Sequence, residues 1–348
     1  MKLPEFKNEN LHKKWIQTVN EYFSKNKISK TDNLNYYLKF FILLCFWIAC
    51  WSFLTFYNHN IINIILSSIF LGFITATLGI NSMHDGGHFS ASKYKFLNNS
   101  FAYVSDIMGA SSFFWKIKHN VLHHTYTNIN SLDDDLNAGV VARLSPQQNK
   151  KYYHKYQHIY MIPLYGLLVF KWNFLDDYIC FFKKSVSFKE IEMSKKDKFM
   201  FFFGKFINLC WLILIPSFFH SFKLVVTETL IIYFSTGLVI SLIFVVAHFV
   251  EGVKFMDADQ DLNEGFFEHQ LSTTTDFSIN SKLALFISGG LNYQTVHHLT
   301  PGINHMHYPA LSKLLEKFCK ENNLNYKHFP DYKSAFKSHF KFLKSMGT

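Results

Sequence analysis

The stretch that decides the fold is IINIILSSIFLGFITATLGINSMHDGGH, residues 61–88. Residues 61–81 contain no charged side chain, and a helix needs about 20 apolar residues to cross a bilayer. Two histidines, His84 and His88, follow this run directly. The stretch therefore predicts a membrane-spanning helix that carries a pair of histidines at one end.

Three further stretches are long and apolar enough to span a membrane, at residues 38–57, 199–219 and 224–247. Short links join the four spans in pairs, which predicts two helical hairpins. Composition agrees, because hydrophobic residues make up 49% of the chain and charged residues 17%, well below the quarter or so that soluble domains carry. The predicted fold class is an all-α, multi-pass integral membrane protein with four transmembrane helices.

Lysines set the predicted orientation. The N-terminal arm, the long middle segment 89–198 and the C-terminal tail are lysine-rich, and the two short links are not. The positive-inside rule then places both ends and the middle segment in the cytoplasm, in a bacterial inner membrane or the endoplasmic reticulum. We predict a cytoplasmic arm at 1–37, a catalytic domain at 38–320 and a cytoplasmic tail at 321–348.

Residues 101–115 and 159–174 are less apolar, and we expect them to lie in the membrane interface as amphipathic helices. A six-span alternative that uses them as transmembrane helices would move the middle histidines to the other side of the membrane. The four-span arrangement is therefore preferred.

Several protein classes are not expected. The net charge is +10, but the lysines flank the apolar runs and form no recognition stripe, so we expect lipid head groups and not nucleic acid as the anionic partner. The five cysteines form no CxxC pair, which argues against a disulfide framework or an iron–sulfur site. The N-terminus lacks the apolar core of a cleaved leader.

Histidine placement points to a metal site. The chain has 18 histidines, and three clusters stand out, each on the predicted cytoplasmic side. With His248 at the end of the fourth span, the candidate metal-binding and catalytic positions are His84, His88, His119, His123, His124, His248, Gln294, His297 and His298.

Spacing suggests how the clusters work. His84 and His88 are four residues apart and share a helix face, as do His119 and His123. On an α-helix His124 is rotated by about 100° from His123, so it can turn toward a second metal ion. These donors exceed what one tetrahedral zinc uses, so two metal ions are the economical interpretation. Imidazole suits Zn, Cu, Fe and Ni, and the Glu-rich ligand set of soluble di-iron bundles is not found on the spans.

Other histidines are expected to have ordinary roles. His59, His220 and His269 are interpreted as structural residues, and His154 and His158 as interface packing. His305 and His307 follow the third cluster closely, and a position that supports the ligands or faces the substrate fits them as well as a structural role does.

The clusters resemble a known family. HDGGH (84–88), WKIKHNVLHHTYTNI (115–129) and NYQTVHHLTPGINHMHYPAL (292–311) are similar to the three histidine boxes of the membrane fatty-acid desaturases, over residues 36–320. The resemblance implies a non-heme di-iron centre held by the box histidines and His248, with Gln294 as an additional ligand or as a hydrogen-bonding neighbour. Gln at this position is similar to the front-end and linoleoyl-CoA branch.

The resemblance also implies a reaction. The enzyme would use O2 and two external electrons to insert a cis double bond into a fatty acyl-CoA or acyl-lipid. A fused cytochrome b5 domain with its HPGG motif is not expected in a 37-residue arm. The implied electron donor is therefore a separate protein, either a ferredoxin or cytochrome b5.

Neighbouring residues are assigned supporting roles. Asp85, Asp106 and residues 133–135 are candidates to orient the imidazoles, although a solvated loop is an equal interpretation of the Asp run. The aromatic residues at 113–115 are candidates to line an acyl tunnel. The candidate head-group contacts are Lys116, Lys118 and Arg143.

Two rival functions remain open. A membrane hydroxylase or ketolase uses similar histidine boxes, and product analysis separates it from a desaturase. A non-catalytic heme- or metal-binding membrane protein is the rival from another class, and a Soret band would reveal the heme.

Overall fold

The computed structural model describes residues 3–57, 60–260, 262 and 264–348. The chain divides into two compact units. The terminal unit comprises Met1–Asn33, Lys118–Met161 and Ile243–Thr348, and the span unit comprises Leu34–Ile117 and Ile162–Leu242. Each is described by itself.

Four helices in the described residues are long and apolar enough to cross a membrane, as predicted. Their bounds are Leu34–Phe56, Ile61–Gly87, Lys195–Phe218 and Phe222–His248. Apolar rings on the first two, including Phe46 and Phe70, are exposed in the isolated chain. This exposure fits contact with lipid, because soluble proteins rarely leave so many large apolar side chains uncovered.

The second of these helices runs beyond the predicted limit at residue 81 and continues through His84 to Gly87. Its last polar residues are satisfied within the helix. The Asn81 side chain donates to the carbonyl of Thr77 at 2.8 Å, and the Ser82 hydroxyl donates to the carbonyl of Leu78 at 2.6 Å. These two side-chain donors therefore find acceptors inside the helix, which lets it continue past the apolar run.

Trp and aliphatic side chains hold the span unit together. The Trp47 indole donates to the Thr75 hydroxyl at 2.9 Å, and the Trp51 indole donates to the carbonyl of Trp211 at 2.8 Å. Leu71 and Ile232 lie in the same apolar cluster. These contacts join the helices Leu34–Phe56 and Ile61–Gly87 to the two later ones.

The two stretches expected to be interfacial helices are mostly helical, but each is divided into shorter pieces. The first is interrupted near Gly109, whose positive φ of 101° ends a helical turn. In the second, Pro163 lies inside the helix and removes a backbone donor. The pieces are Lys95–Ala102, Val104–Ile107 and Ser112–Lys116, then Gln157–Tyr165, Leu168–Lys171 and the π-helix Trp172–Asp176.

The remaining elements of the span unit lie around residues 177–218. They are the helix Asp177–Lys183, the strands Ser185–Val186 and Lys189–Glu190, and the segments of the third spanning helix, Lys195–Leu209, Cys210–Leu214 (π) and Pro216–Phe218 (3₁₀).

The terminal unit is built mainly from short helices. Trp15 on the N-terminal helix packs with Phe267, Leu311 and Phe318 in one apolar core. The α-helices are Asn10–Asn26, Phe266–Thr273, Lys282–Ser288, Gln294–Leu299, Tyr308–Glu321 and Tyr332–Gly347. The π- and 3₁₀-helices are Ile117–His123, Asp134–Leu136, Tyr152–Tyr156, Leu291–Tyr293 and His305–His307.

Three two-stranded sheets add to the predicted all-α class. Ile129–Asn130 pairs in parallel with Met256–Asp257, and Asp276–Phe277 pairs in parallel with His328–Phe329. Ser185–Val186 and Lys189–Glu190 form an antiparallel pair. Each parallel pair joins residues far apart in the chain, which a local pattern does not reveal.

Candidate metal centre

The third box lies on the short helix Gln294–Leu299. Its first turn is anchored by Asp276, which accepts the backbone N–H of Thr295 at 2.7 Å and the hydroxyl of Tyr326. His297 and His298 then project from the next turn and are fully buried. The predicted spacing of Gln294 from His298 brings their side chains together, at 3.1 Å between the amide nitrogen and Nε2.

The second box adopts a π-helix, Ile117–His123, and not the α-helix that the spacing argument assumed. The backbone N–H of His124 donates to the carbonyl of His119, five residues back, at 2.9 Å. This geometry brings Nε2 of His124 to 3.2 Å from Nε2 of His119, while the His123 ring stacks on His119 at 5.2 Å. The π-helix thus brings His124 beside His119, five residues back, while its ring stays at 87° to that of His123, so a role for His124 toward a second metal ion stays a prediction.

Box two, box three and His248 converge within the terminal unit. The ligand atoms of His123, His248 and His298 lie within 4.8 Å of one another, and so do those of His124, His297 and His298. His298 belongs to both groups. Clusters of ring nitrogens this close are unfavourable among themselves and are typical of residues that hold metal ions.

Gln294 lies against the same ring nitrogens. Its amide nitrogen is 2.8 Å from Nε2 of His248, and its Oε1 is buried without a hydrogen-bond partner among the described residues. The amide N–H groups can donate to the Nε2 lone pairs of His248 and His298, which fits the hydrogen-bonding role, one of the two that the sequence allowed.

The opposite ring nitrogen of four histidines has its own partner. Nδ1 of His123 lies 3.1 Å from Asp133, and Nδ1 of His298 lies 2.8 Å from Oε1 of Gln270. Nδ1 of His297 is 3.1 Å from the Tyr308 hydroxyl, and Nδ1 of His248 is 3.4 Å from the carbonyl of Thr273. Partners of this kind keep the proton on Nδ1 and leave the Nε2 lone pair available to a metal ion.

Asp133 also sets the charge of the cluster. Burial lowers the pKa of His123, but the carboxylates of Asp133 and Asp135 outweigh it and raise that pKa to about 9. The same negative charge would stabilise a metal cation on the other side of the ring. Two members of the Asp run, Asp133 and Asp135, therefore lie beside Nδ1 of His123, and their role in orienting that ring stays a prediction.

The first box lies in the span unit and is held differently. The rings of His84 and His88 are 4.8 Å apart, and the indole of Trp115 lies 5.8 Å from each. Both glycines of the box permit this packing. A Cβ on Gly87 would lie 2.3 Å from the Trp115 ring, and one on Gly86 would lie 2.6 Å from the carbonyl oxygen of Asn98.

Comparison with known proteins decides the family. The sequence model described as fatty acid desaturase matches residues 59–330. The chain belongs to the fatty acid desaturase family. It is an enzyme that desaturates fatty acids, and its four apolar helices make this desaturase a multi-pass membrane protein.

Three relatives give the scale of the likeness. An acyl-lipid (8-3)-desaturase of Physcomitrium patens is 35% identical, with 98% of this chain and 72% of that protein aligned. An sn-1 linoleoyl-lipid 6-desaturase of Arthrospira platensis is 34% identical, over 94% and 90%. The sn-1 linoleoyl-lipid 6-desaturase of Synechocystis is 30% identical, over 95% and 94%.

Other candidate residues of the desaturase lie in different settings. Asp106 accepts the N–H of Ser112 at 3.2 Å, so the prediction that it orients an imidazole has no support in its span-unit contacts. Asp85 is 3.9 Å from Nδ1 of its neighbour His84, too far for a hydrogen bond. Phe114 packs on Phe201 in the span unit, so its ring is part of the core.

The proposed head-group contacts have protein partners. The Arg143 guanidinium donates to the carbonyls of Pro146, Gln148 and Met346 and clamps the terminal unit. Lys118 pairs with Asp134 at 3.1 Å, and Lys116 donates to the Asn99 side chain at 3.2 Å. These contacts account for the three side chains without a lipid.

The histidines interpreted as structural are hydrogen-bonded to backbone. His220 Nε2 lies 3.1 Å from the carbonyl of Leu54, and His269 Nε2 lies 2.9 Å from the carbonyl of Thr127. His154 lies 3.0 Å from the carbonyl of Val140, so it packs inside the terminal unit. His59 lies outside the described residues.

Sequence reasoning missed Gln270, Thr273 and Tyr308. Gln270 also donates its amide to the carbonyl of His124 at 2.9 Å, so it joins the second box to the third. A weak signal was present, because the run QLSTTTD at 270–276 is polar yet the segment lies between His248 and the third box. Six of the seven residues of this run are buried, and Ser272 is half-buried.

Proposed function

We propose that this desaturase inserts a cis double bond into an acyl chain of a membrane lipid, in an O2-dependent, front-end reaction at a non-heme di-iron centre. The observation that carries the proposal is the convergence of buried Nε2 atoms from His123, His248 and His298, with Nδ1 of each directed to a protein acceptor. An acyl-lipid substrate is favoured over acyl-CoA because three relatives are named for acyl-lipid or linoleoyl-lipid substrates.

The two-metal proposal rests on the number of donors. The two overlapping histidine groups in the terminal unit share His298, and together they exceed the ligands of one tetrahedral ion. The proposed iron ligands are His84, His88, His119, His123, His124, His248, His297 and His298, with Gln294 as a ninth candidate or a hydrogen-bonding neighbour of His248.

The reaction favours iron over zinc, and the resemblance of the histidine boxes to those of the membrane desaturases favours iron over the other redox-active metals. Imidazole nitrogens bind iron, zinc, copper and nickel, but abstraction of hydrogen from an unactivated methylene requires a redox-active metal. When bound, the iron pair would supply the activation of O2 that side-chain acid–base chemistry lacks.

The protein's own part is to orient and to exclude water. Asp133 and Gln270 hold the protons of His123 and His298 on Nδ1, which fixes the direction of each ring. His297 is fully buried, and His123 is only 1% exposed. A dry site would protect a reactive oxidant from solvent and from side reactions.

The membrane arrangement is part of the proposal. We propose two helical hairpins with a cytoplasmic helical cap, a cytoplasmic arm at 1–37, the desaturase domain at 38–320 and a tail at 321–348. The lysine-rich arm and tail support this orientation. Reporter fusions at the C-terminus and in the link at 220–223 should report opposite sides of the membrane.

The electron donor is proposed to be a separate protein. Reconstitution with ferredoxin or with cytochrome b5, each with its reductase, should show which of the two supports product formation. If neither donor supports product formation while both donors are shown to be active, the proposal is contradicted.

The decisive test is expression in a host of defined lipid content, followed by mass spectrometry of its fatty acids. The expected product has lost two hydrogens, with the new double bond between an existing one and the carboxyl end. A product that gains one oxygen would favour a hydroxylase instead. Two irons per purified chain without a Soret band are expected, and a Soret band would support heme.

A further inference from the structure

Asn128 lies four residues after His124, the last histidine of the second box, where the chain leaves the helical segment and enters the strand Ile129–Asn130. Its φ is 58°, in the left-handed region. Asn enters this region more readily than most residues, and only Gly does so without steric cost. The residue is fully buried.

The side-chain amide of Asn128 faces three backbone carbonyls. Its Nδ2 lies 3.3 Å from the oxygen of His248, 3.3 Å from that of Lys254 and 3.2 Å from that of Thr273. These acceptors come from the end of the fourth spanning helix, the loop that follows it and the helix Phe266–Thr273. One amide thus joins three segments that are distant in sequence from it.

The backbone of Asn128 reaches a fourth group. Its N–H donates to Oδ2 of Asp133 at 2.9 Å, and Asp133 in turn faces Nδ1 of His123. The carbonyl of Thr273, which Asn128 contacts, also faces Nδ1 of His248. Asn128 is therefore hydrogen-bonded to the two groups, Asp133 and the carbonyl of Thr273, that accept from the candidate ligands His123 and His248.

We propose that Asn128 is a positioning residue of the metal centre, which holds the His248 ring and the His123–Asp133 pair in register. The proposal rests on the di-iron function proposed above. Neither ring contacts Asn128 directly, so its effect passes through the carbonyls of His248 and Thr273 and through Asp133.

The residue type follows from this setting. Three acceptors surround the amide, so the position needs a donor, and a carboxylate there would face three carbonyl oxygens with no proton to offer. The left-handed φ disfavours side chains with bulk close to the backbone. Asn meets both requirements, whereas Asp and Gly each meet only the backbone requirement.

Other contacts also stabilise the fold at this position, so the Asn128 variants should still fold and be produced. The N–H of Met256 donates to the Asn128 carbonyl at 3.1 Å, and the parallel pairing of Ile129–Asn130 with Met256–Asp257 follows directly. Both contacts use backbone atoms. Asn128→Gly keeps them and the left-handed φ, and removes only the amide.

The test compares Asn128→Gly and Asn128→Asp with Asn130→Gly in the full-length purified chain. Asn130 is two residues away and donates its amide to Asp257 at 2.9 Å, away from the histidines, which makes it a matched control. The readouts are iron affinity, the Mössbauer spectrum of the loaded protein and product formation.

We expect both Asn128 variants to bind iron roughly 10–100-fold more weakly and to show altered, broadened Mössbauer doublets. Asn128→Asp should bind iron more weakly than Asn128→Gly, because its carboxylate would be repelled by the three carbonyl oxygens around it. Asn130→Gly should retain the wild-type spectrum and affinity. Wild-type iron binding and spectrum in Asn128→Gly would overturn the proposal, and so would failure of both variants to fold, since that outcome marks a purely structural residue.

Failure of this inference is distinguishable from failure of the proposed function. If Asn128 has no effect but His123→Ala abolishes desaturation, the di-iron function stands and only the positioning role falls. If His123→Ala retains desaturation, the proposed centre itself is wrong.

Discussion

The two units fix their box histidines by different physical means. In the terminal unit, hydrogen bonds to Nδ1 direct the rings of His123 and His298. In the span unit, the rings of His84 and His88 pack against the indole of Trp115 at a point where glycine allows close approach. The contacts described for the box histidines therefore differ, with acceptors at Nδ1 in the terminal unit and close ring packing in the span unit.

This difference predicts different sensitivities. A hydrogen-bond acceptor sets the tautomer and basicity of a ring, so its loss should change metal affinity more than stability. Packing against a glycine fixes the position of a ring, so added volume should change stability and activity together. Variants in each unit test whether the two kinds of contact have these different effects.

The largest effect is expected for His298→Ala. His298 belongs to both converging groups in the terminal unit, so its loss should abolish desaturation while the protein still enters the membrane. His123→Ala should do the same. The measurement is product formation in the host. His220→Ala is the control, because the His220 ring is hydrogen-bonded to the carbonyl of Leu54 and belongs to none of the histidine boxes. Product near the wild-type level in His298→Ala would refute the assignment.

Gly87→Ala tests the packing side of the comparison. The new Cβ would lie 2.3 Å from the Trp115 ring, and such overpacking costs about 1–3 kcal/mol. We expect a lower melting temperature in detergent and a loss of activity. Gly302→Ala is the control, since nothing lies within 4 Å of a Cβ there. Trp115→Leu should partly restore the stability of Gly87→Ala, and unchanged stability of the single variant would contradict the packing argument.

Asp133→Asn tests the hydrogen-bonding side. An amide can still accept from Nδ1 of His123 but carries no charge, so iron affinity should fall roughly 10–100-fold with little change in melting temperature. Iron retention after dialysis against a chelator is the measurement. Asp134→Asn, which only weakens the pair with Lys118, should behave like wild type. Equal losses in both variants would show that the Asp133 contact has no special role.

Gln294 should have a smaller effect than any box histidine. Its amide contacts Nε2 of His248 and of His298, so Gln294→Ala should reduce turnover without abolishing it, by roughly the 10–100-fold typical of groups that support ligands. Gln294→His should retain more activity than Gln294→Ala, because imidazole can also donate or bind metal. Complete inactivity of both variants would favour Gln294 as a required ligand.

The smallest effect concerns Asp276, which anchors the third box. Burial raises its pKa to about 6, against hydrogen bonds from Tyr326 and Thr295 that lower it. The folded chain therefore keeps this proton to higher pH than the unfolded chain, and stability should fall as pH rises from about 4 to 6. Melting temperatures of wild type and Asp276→Asn across this range are the check, and parallel curves would contradict it.

The four apolar helices could be predicted from the sequence alone, because a membrane span requires only a local run of about 20 apolar residues without charge. The sequence also determined the family and the candidate histidines, since the boxes are short continuous motifs. It did not determine the end of the second spanning helix, where Asn81 and Ser82 satisfy their polar groups within the helix.

Only the tertiary structure decided how the rings are held. The π-helix of the second box changes which histidines face each other, and no spacing rule for α-helices contains it. Gln270 contacts the His298 ring from 28 residues away, and Asn128 contacts the His248 carbonyl from 120 residues away. Such partners depend on which segments the fold brings into contact. A hydrogen bond between residues so far apart in the sequence leaves no periodic pattern from which it could be predicted.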